Sequence, residues 1–158
     1  MLGITTTSFA AEHSHCSASE KAIFNCRIKD SSKIVSLCGS SDLSSKKGYL
    51  QYRFGRPGNV ELQFPKNKQG SQDRFRWAHY FRFQVDRTEV SFNNGGYKYT
   101  LFHYYEGDLE PPTTTGGIRV GETELSCIDP IINELPKLEL EKIVPCDRES
   151  ALNLKECE

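Results

Sequence analysis

The chain has 158 residues, with 20 basic and 21 acidic side chains for a net charge of -1, and 37% apolar residues. That length suits one domain with a real core. The balanced charge argues against a dedicated nucleic-acid binder, which needs a basic excess to neutralise phosphates, and no stretch approaches the ~20 apolar residues of a spanning helix.

The first ten residues, MLGITTTSFA, end in Ser8-Phe9-Ala10 before Ala11. Small residues at Ser8 and Ala10 match a signal-peptidase site, so residues 1–10 read as a signal-peptide remnant and 11–158 as one β-domain. Cleavage after Ala10 would create the terminus Ala11-Glu12-His13. Its amine, two backbone amides and a third-position imidazole form a square-planar nitrogen set suited to adventitious Cu(II) or Ni(II). No functional metal or cofactor is expected. Six cysteines, Cys16, Cys26, Cys38, Cys127, Cys146 and Cys157, are spread along the chain without a C-x-x-C pair. An even number at such spacing fits disulfides in an oxidising compartment rather than zinc, and therefore a periplasmic or secreted protein.

Ala22–Ile28 and Lys33–Cys38 flank the turn cluster Asp30-Ser31-Ser32. Centred on Ser32, this hairpin sets Cys26 opposite Cys38, the first expected pairing. Cys127–Cys146 and Cys16–Cys157 make up the expected remainder.

Leu50, Tyr52 and Phe54, then Val60, Leu62 and Phe64, alternate with polar residues around Gly55-Arg56-Pro57-Gly58. Centring the turn on Pro57 pairs Phe54 with Val60, Arg53 with Glu61 and Tyr52 with Leu62. Gly-Arg-Pro is also the core of minor-groove DNA hooks, but those need flanking basic residues on a flexible tail. Arg56 here belongs to a hairpin tip.

From Arg74 to Val85, Phe75, Trp77, His79, Phe81, Phe83 and Val85 share one face, and Arg74, Arg76, Ala78, Tyr80, Arg82 and Gln84 share the other. Arg74, Arg76 and Arg82 thus form a basic strand face fit for an acidic protein partner or an anionic glycan. Asp86-Arg87 is the expected turn into Thr88–Phe92, and Asn93-Asn94-Gly95-Gly96 a tight turn into Tyr97–Tyr105. Glu106–Gly117 reads as a loop, Gly116–Val120 and Thr123–Cys127 as the last strands. From about residue 129 a C-terminal extension follows, in which Asp147 could cap a short helix through Leu154. Seven to nine short strands predict an all-β fold, a single antiparallel barrel or sandwich stapled by disulfides.

Enzyme motifs are absent: there is no G-x-S-x-G, H-E-x-x-H or phosphate-binding glycine loop. The expectation is a non-enzyme; the rival is a site built from His79 or His103 with a distant carboxylate. The binding candidates are the two tips, with Arg56 on one and Asn93, Asn94 and Tyr97 on the other, and the arginine face.

The runs FNCRIKDSSKIVSLC, GYLQYRFGRPGNVELQFP and VSFNNGGYKYTLFHYYEG resemble a widespread group of small exported bacterial proteins, over roughly Phe24–Tyr105. Shared features are the opening Phe-Asn-Cys strand, a strand ending in Leu-Cys, the YLQYRFG-x-PG hairpin and a glycine turn before Tyr-x-Tyr. The resemblance implies periplasmic residence and an all-β fold, and supplies no catalytic residues. In class and composition the chain is also similar to periplasmic lysozyme inhibitors and toxin-immunity proteins. That likeness implies a protein partner, a cell-wall hydrolase or related toxin, plugged by a loop. The alternative is an envelope structural or host-interaction protein.

Overall fold

The computed structural model describes residues 13–153 and Cys157. Among them, nine strands run β1 (Glu20–Ile28), β2 (Ile34–Ser40), β3 (Leu50–Arg56), β4 (Asn59–Phe64), β5 (Arg76–Arg82), β6 (Val85–Asn94), β7 (Tyr97–Glu106), β8 (Thr113–Val120) and β9 (Thr123–Asn133). All neighbours are antiparallel, in the order β4-β3-β2-β1-β9-β8-β7-β6-β5.

Strand β9 joins two halves. Thr123–Ser126 pairs with β8, whereas the part from Cys127 to Asn133 pairs with β1 across an irregular stretch. The halves face each other. Tyr52 meets Phe92 at 4.9 Å and Tyr99 at 6.1 Å between ring centroids, and Phe64 stacks on Phe92 at 4.4 Å. The end strands β4 and β5 do not pair with each other. The fold is therefore an all-β sandwich and not a closed barrel.

Hairpin registers depart from the expected ones. In β1–β2, Cys26 faces Val35, and Cys38 faces Ala22. The slip from the Ser32-centred register is odd, so it turns Cys38 to the opposite face from Cys26. Cys26 points into the core, and the expected Cys26–Cys38 bond is excluded. The observed disulfides are Cys16–Cys38, Cys26–Cys127 and Cys146–Cys157. The N-terminal segment is thus tied to β2, while the C-terminal disulfide closes only on itself.

In β3–β4 the turn is the two residues Pro57-Gly58, and a bulge at Glu61 adds one more. Tyr52 therefore faces Phe64, Arg53 faces Gln63 and Phe54 faces Leu62, two places from the expected pairs. An even slip keeps the apolar set on one face, so the core survives the change. Glu61 instead meets Lys33 at 2.7 Å. The bulge brings backbone against Gly55, where a Cβ would collide with the Asn59 carbonyl oxygen and the Glu61 nitrogen. Gly55→Ala should cost ~1–3 kcal/mol by forcing those backbones apart, read as a lowered thermal midpoint.

The next turn also comes earlier than expected. β5 ends at Arg82 and β6 begins at Val85, so Phe83-Gln84 turns the chain and Asp86-Arg87 lies inside β6. β8 begins at Thr113 opposite Glu106, which shortens the expected 106–117 loop to 107–112.

The C-terminal extension buries Leu135, Leu140 and Val144 in the core and then runs beside β5. Trp77 N–H donates to Pro145 O at 2.9 Å and Asp147 N–H to Trp77 O at 2.7 Å, a parallel bridge that occupies the open edge of β5. Among the described residues its helical content is three single 3₁₀ turns, Leu135–Leu138, Leu140–Lys142 and Ala151–Asn153. The expected signal remnant, 1–10, and Leu154 at the end of the expected helix lie outside the described residues.

Candidate functional site

Strands β6 and β7 pair without a break as far as Asn94 opposite Tyr97. Gly95 (φ 60°) and Gly96 (φ 82°) both occupy the left-handed region, as a two-residue hairpin turn matched to strand twist requires. Tyr97 is 60% exposed at this tip. The β8–β9 turn braces it, with Gly121 N–H donating to Lys98 O at 3.0 Å.

Beside the tip lies a cleft of about 680 Å³ between β6–β7, the start of β5 and the C-terminal strap. Arg74, Arg76, Asn93 and Lys98 line one side, Arg148 and Glu149 the other. Asp147 anchors the strap there. Its carboxylate accepts from Lys98 Nζ at 2.8 Å, Ser91 Oγ at 3.1 Å and the Glu149 N–H at 2.9 Å. Burial alone would raise its pKa, but these donors hold it below the usual aspartate value. Arg76 donates to the carbonyls of Asp73 and Phe75 at 2.7 and 2.8 Å, and the Arg74 guanidinium sits 5.1 Å from the Phe64 ring centre. Both arginines are positioned by their own chain.

The seven expected binding residues separate into three groups. Arg74, Arg76 and Asn93 meet at the cleft, with Asn94 and Tyr97 at the adjoining tip. Arg56 is exposed at the β3–β4 tip. Arg82 stands at the far end of the second half, paired with Asp108 at 2.5 Å. The expected strip Arg74–Arg76–Arg82 is therefore not one surface: Arg74, which closes a 3₁₀ turn (Ser71–Arg74), still meets Arg76 at the cleft, whereas Arg82 lies at the opposite end of β5 from Arg76.

A second polar centre lies on the outer face of the same sheet. Glu89 accepts from the Tyr104 hydroxyl, Arg119 Nη2 at 2.6 Å and Ser150 Oγ at 3.3 Å. Burial and the neighbouring carboxylate push Tyr104 up to about 12, so it remains a hydroxyl donor at neutral pH. This centre ties the tail to the sheet.

Of the histidines, His79 Nε2 lies 2.7 Å from Asp86 Oδ1, and His103 is on β7 opposite Thr88. Burial lowers the His103 pKa against a smaller opposing pull from Asp86. A histidine–carboxylate pair, the ingredient of the rival enzymatic reading, is thus present. The recess beside it, lined by Trp77, His79, Thr88, Leu135, Pro136, Leu140 and Glu141, measures about 30 Å³. That is room for about one water molecule. All six cysteines are bonded in pairs, which leaves no thiol nucleophile. Among the described residues, no group of three or more His, Cys, Asp and Glu side chains could hold a metal ion; Ala11 and Glu12 of the expected copper site lie outside them. Sequence reasoning missed Asp86, which it assigned to a turn, and Lys98 and Asp147, whose meeting depends on where the tail docks.

No protein-family model, curated protein or solved structure matches the chain.

Proposed function

We propose that this is an exported, periplasmic binding protein that neutralises a cell-wall-degrading enzyme by inserting the β6–β7 tip into its cleft. One observation carries the reading: Tyr97 projects from a two-glycine turn directly beside a cleft flanked by Arg74 and Arg76. Three disulfides fit an oxidising compartment, and no described helix is long and apolar enough to cross a membrane. Cell-wall glycosidases work with paired carboxylates in an open groove. The amides of Asn93 and Asn94 and the Tyr97 phenol can donate to such carboxylates, while the arginines engage an acidic rim. A braced turn loses little freedom on docking, which favours affinity.

Inhibition of peptidoglycan hydrolysis, measured over a panel of muramidases and amidases, tests this. Tyr97→Ala with Asn94→Ala should weaken inhibition by roughly thirtyfold, about 2 kcal/mol, with an unchanged thermal midpoint. Arg56→Ala, on the separate tip, should have little effect. If no enzyme of the panel is bound or inhibited, the reading fails.

A further inference from the structure

The end of the second half opposite the Tyr97 tip carries a different surface. There the Phe83-Gln84 turn and the 107–112 connection lie side by side, with Gly107 N–H donating to Gln84 O at 2.6 Å. Phe83 is 83% exposed, Phe81 71%, Leu109 52% and Tyr105 40%. In the register, Phe81 and Tyr105 flank Asp86 on the same face. None of the four belongs to the buried core, and among the described residues only His79, 6.4 Å from the Phe81 ring, makes a ring contact with any of them. Scattered apolar residues on a surface are ordinary. Four large ones at one end of the sheet, Phe81 and Tyr105 on strands and Phe83 and Leu109 on the adjoining connections, are not.

The backbone points the same way. Gln84 has φ 63°, a left-handed conformation that asparagine or glycine would adopt at less cost. This turn instead holds phenylalanine and glutamine, which serves neither turn chemistry nor solubility. Three ion pairs tie the strands and connections beneath together: Arg82 bonds Asp108 at 2.5 Å, Arg87 bonds Glu106 at 2.6 Å and His79 bonds Asp86 at 2.7 Å. Large aromatic side chains are what interface anchors use.

We infer that Phe81, Phe83, Tyr105 and Leu109 form a docking surface for a protein partner that presents an apolar recess ringed by lysine or arginine. Charge selects the occupant. Around the apolar residues stand four carboxylates; Glu106 and Asp108 are paired with Arg87 and Arg82, and the excess negative charge is carried by Asp86, bonded to His79, and by Glu110. A second copy would bring one acidic rim against another, and an anionic bilayer would repel it. A basic rim complements it. The surface is separate from the Tyr97 tip, so it stands or falls independently of the inhibitor reading.

The experiment places p-benzoylphenylalanine at position 83 and irradiates cells that make the protein, with the same group at exposed Gln63 on β4 as control. The expected result is a discrete adduct, specific to position 83, with a protein that mass spectrometry identifies and whose isoelectric point exceeds about 9. Its yield should fall at least tenfold with Phe81→Ser and with Glu110→Lys, and in high salt, while thermal unfolding is unchanged. An adduct of twice the chain's mass, an adduct insensitive to Glu110→Lys, or none above the control would overturn the inference. So would sedimentation with phosphatidylcholine or phosphatidylglycerol vesicles that Phe83→Ser abolishes, since the occupant would then be a lipid surface.

Discussion

Replacing Cys26 and Cys127 together by alanine is expected to remove roughly 4–5 kcal/mol of stability, the largest effect of any disulfide deletion in the chain. The two cysteines are 101 residues apart, against 22 for Cys16–Cys38 and 11 for Cys146–Cys157. In the chain-entropy account the constraint on the unfolded state grows with loop length, giving ~4.7 kcal/mol for about 100 residues and ~3 kcal/mol for the short loops. Location adds to length. Cys26 is buried on β1, and Cys127 sits on β9 where that strand passes from one half of the sandwich to the other. The bond fixes the junction on which the stacking of Tyr52 and Phe64 against Phe92 depends. Domains of this kind have only ~5–15 kcal/mol in total, so the variant should be close to unfolding at physiological temperature. Denaturant midpoints of the three double-alanine variants supply the check. A smaller loss for Cys26/Cys127 than for Cys146/Cys157 would contradict this ordering.

Arg53→Met should cost about 3–5 kcal/mol, because it strands a buried carboxylate. Arg53 holds Glu20 through both guanidinium nitrogens at 2.8 and 2.9 Å, and also donates to Gln51 Oε1 and the His15 carbonyl. The two side chains are only 9% and 3% exposed. The N-terminal segment from His13 crosses the outer face of the first half here, with His15 N–H on Ser36 Oγ and Asn25 Nδ2 on His13 O. Burial works to raise the Glu20 pKa, but Arg53, the Ser17 N–H and the Tyr49 hydroxyl outweigh it and bring the group down to about 2. A depressed folded-state pKa stabilises above the unfolded value of 4.5, and that stability is lost as pH falls towards about 2. Near neutral pH it amounts to about 3 kcal/mol. Wild-type stability should therefore drop between pH 5 and pH 2, and Glu20→Gln should flatten that part of the profile. The double variant Glu20→Gln/Arg53→Met should recover part of the single-variant loss, since no lone charge remains.

Period-two alternation made most strands legible, because the side chains of a half-buried strand must sort by polarity whatever their partners. Leu50, Tyr52 and Phe54 face the core as expected, and the Asn94–Tyr97 turn falls where two glycines permit it. All six cysteines are bonded, as their number and spacing suggested. Partnering was not legible. A single bulge at Glu61 and a two-residue turn at Phe83-Gln84 move the register without altering composition. An odd slip in β1–β2 was enough to turn Cys38 away from Cys26 and remove the bond expected between them. Phe81 and Phe83 follow the alternation of core residues, yet on this strand the core stops at Trp77, and only the packing of the second layer determines where it stops. Local pattern was thus sufficient for the class, an antiparallel β-domain with paired cysteines, because alternation and turn chemistry are local properties of the chain. The tertiary structure alone decided which cysteines meet, that Arg74, Arg76 and Asn93 share a cleft with the C-terminal strap, and which aromatic side chains are left in water. Those outcomes depend on register and on the docking of segments up to 101 residues apart, which no local pattern encodes.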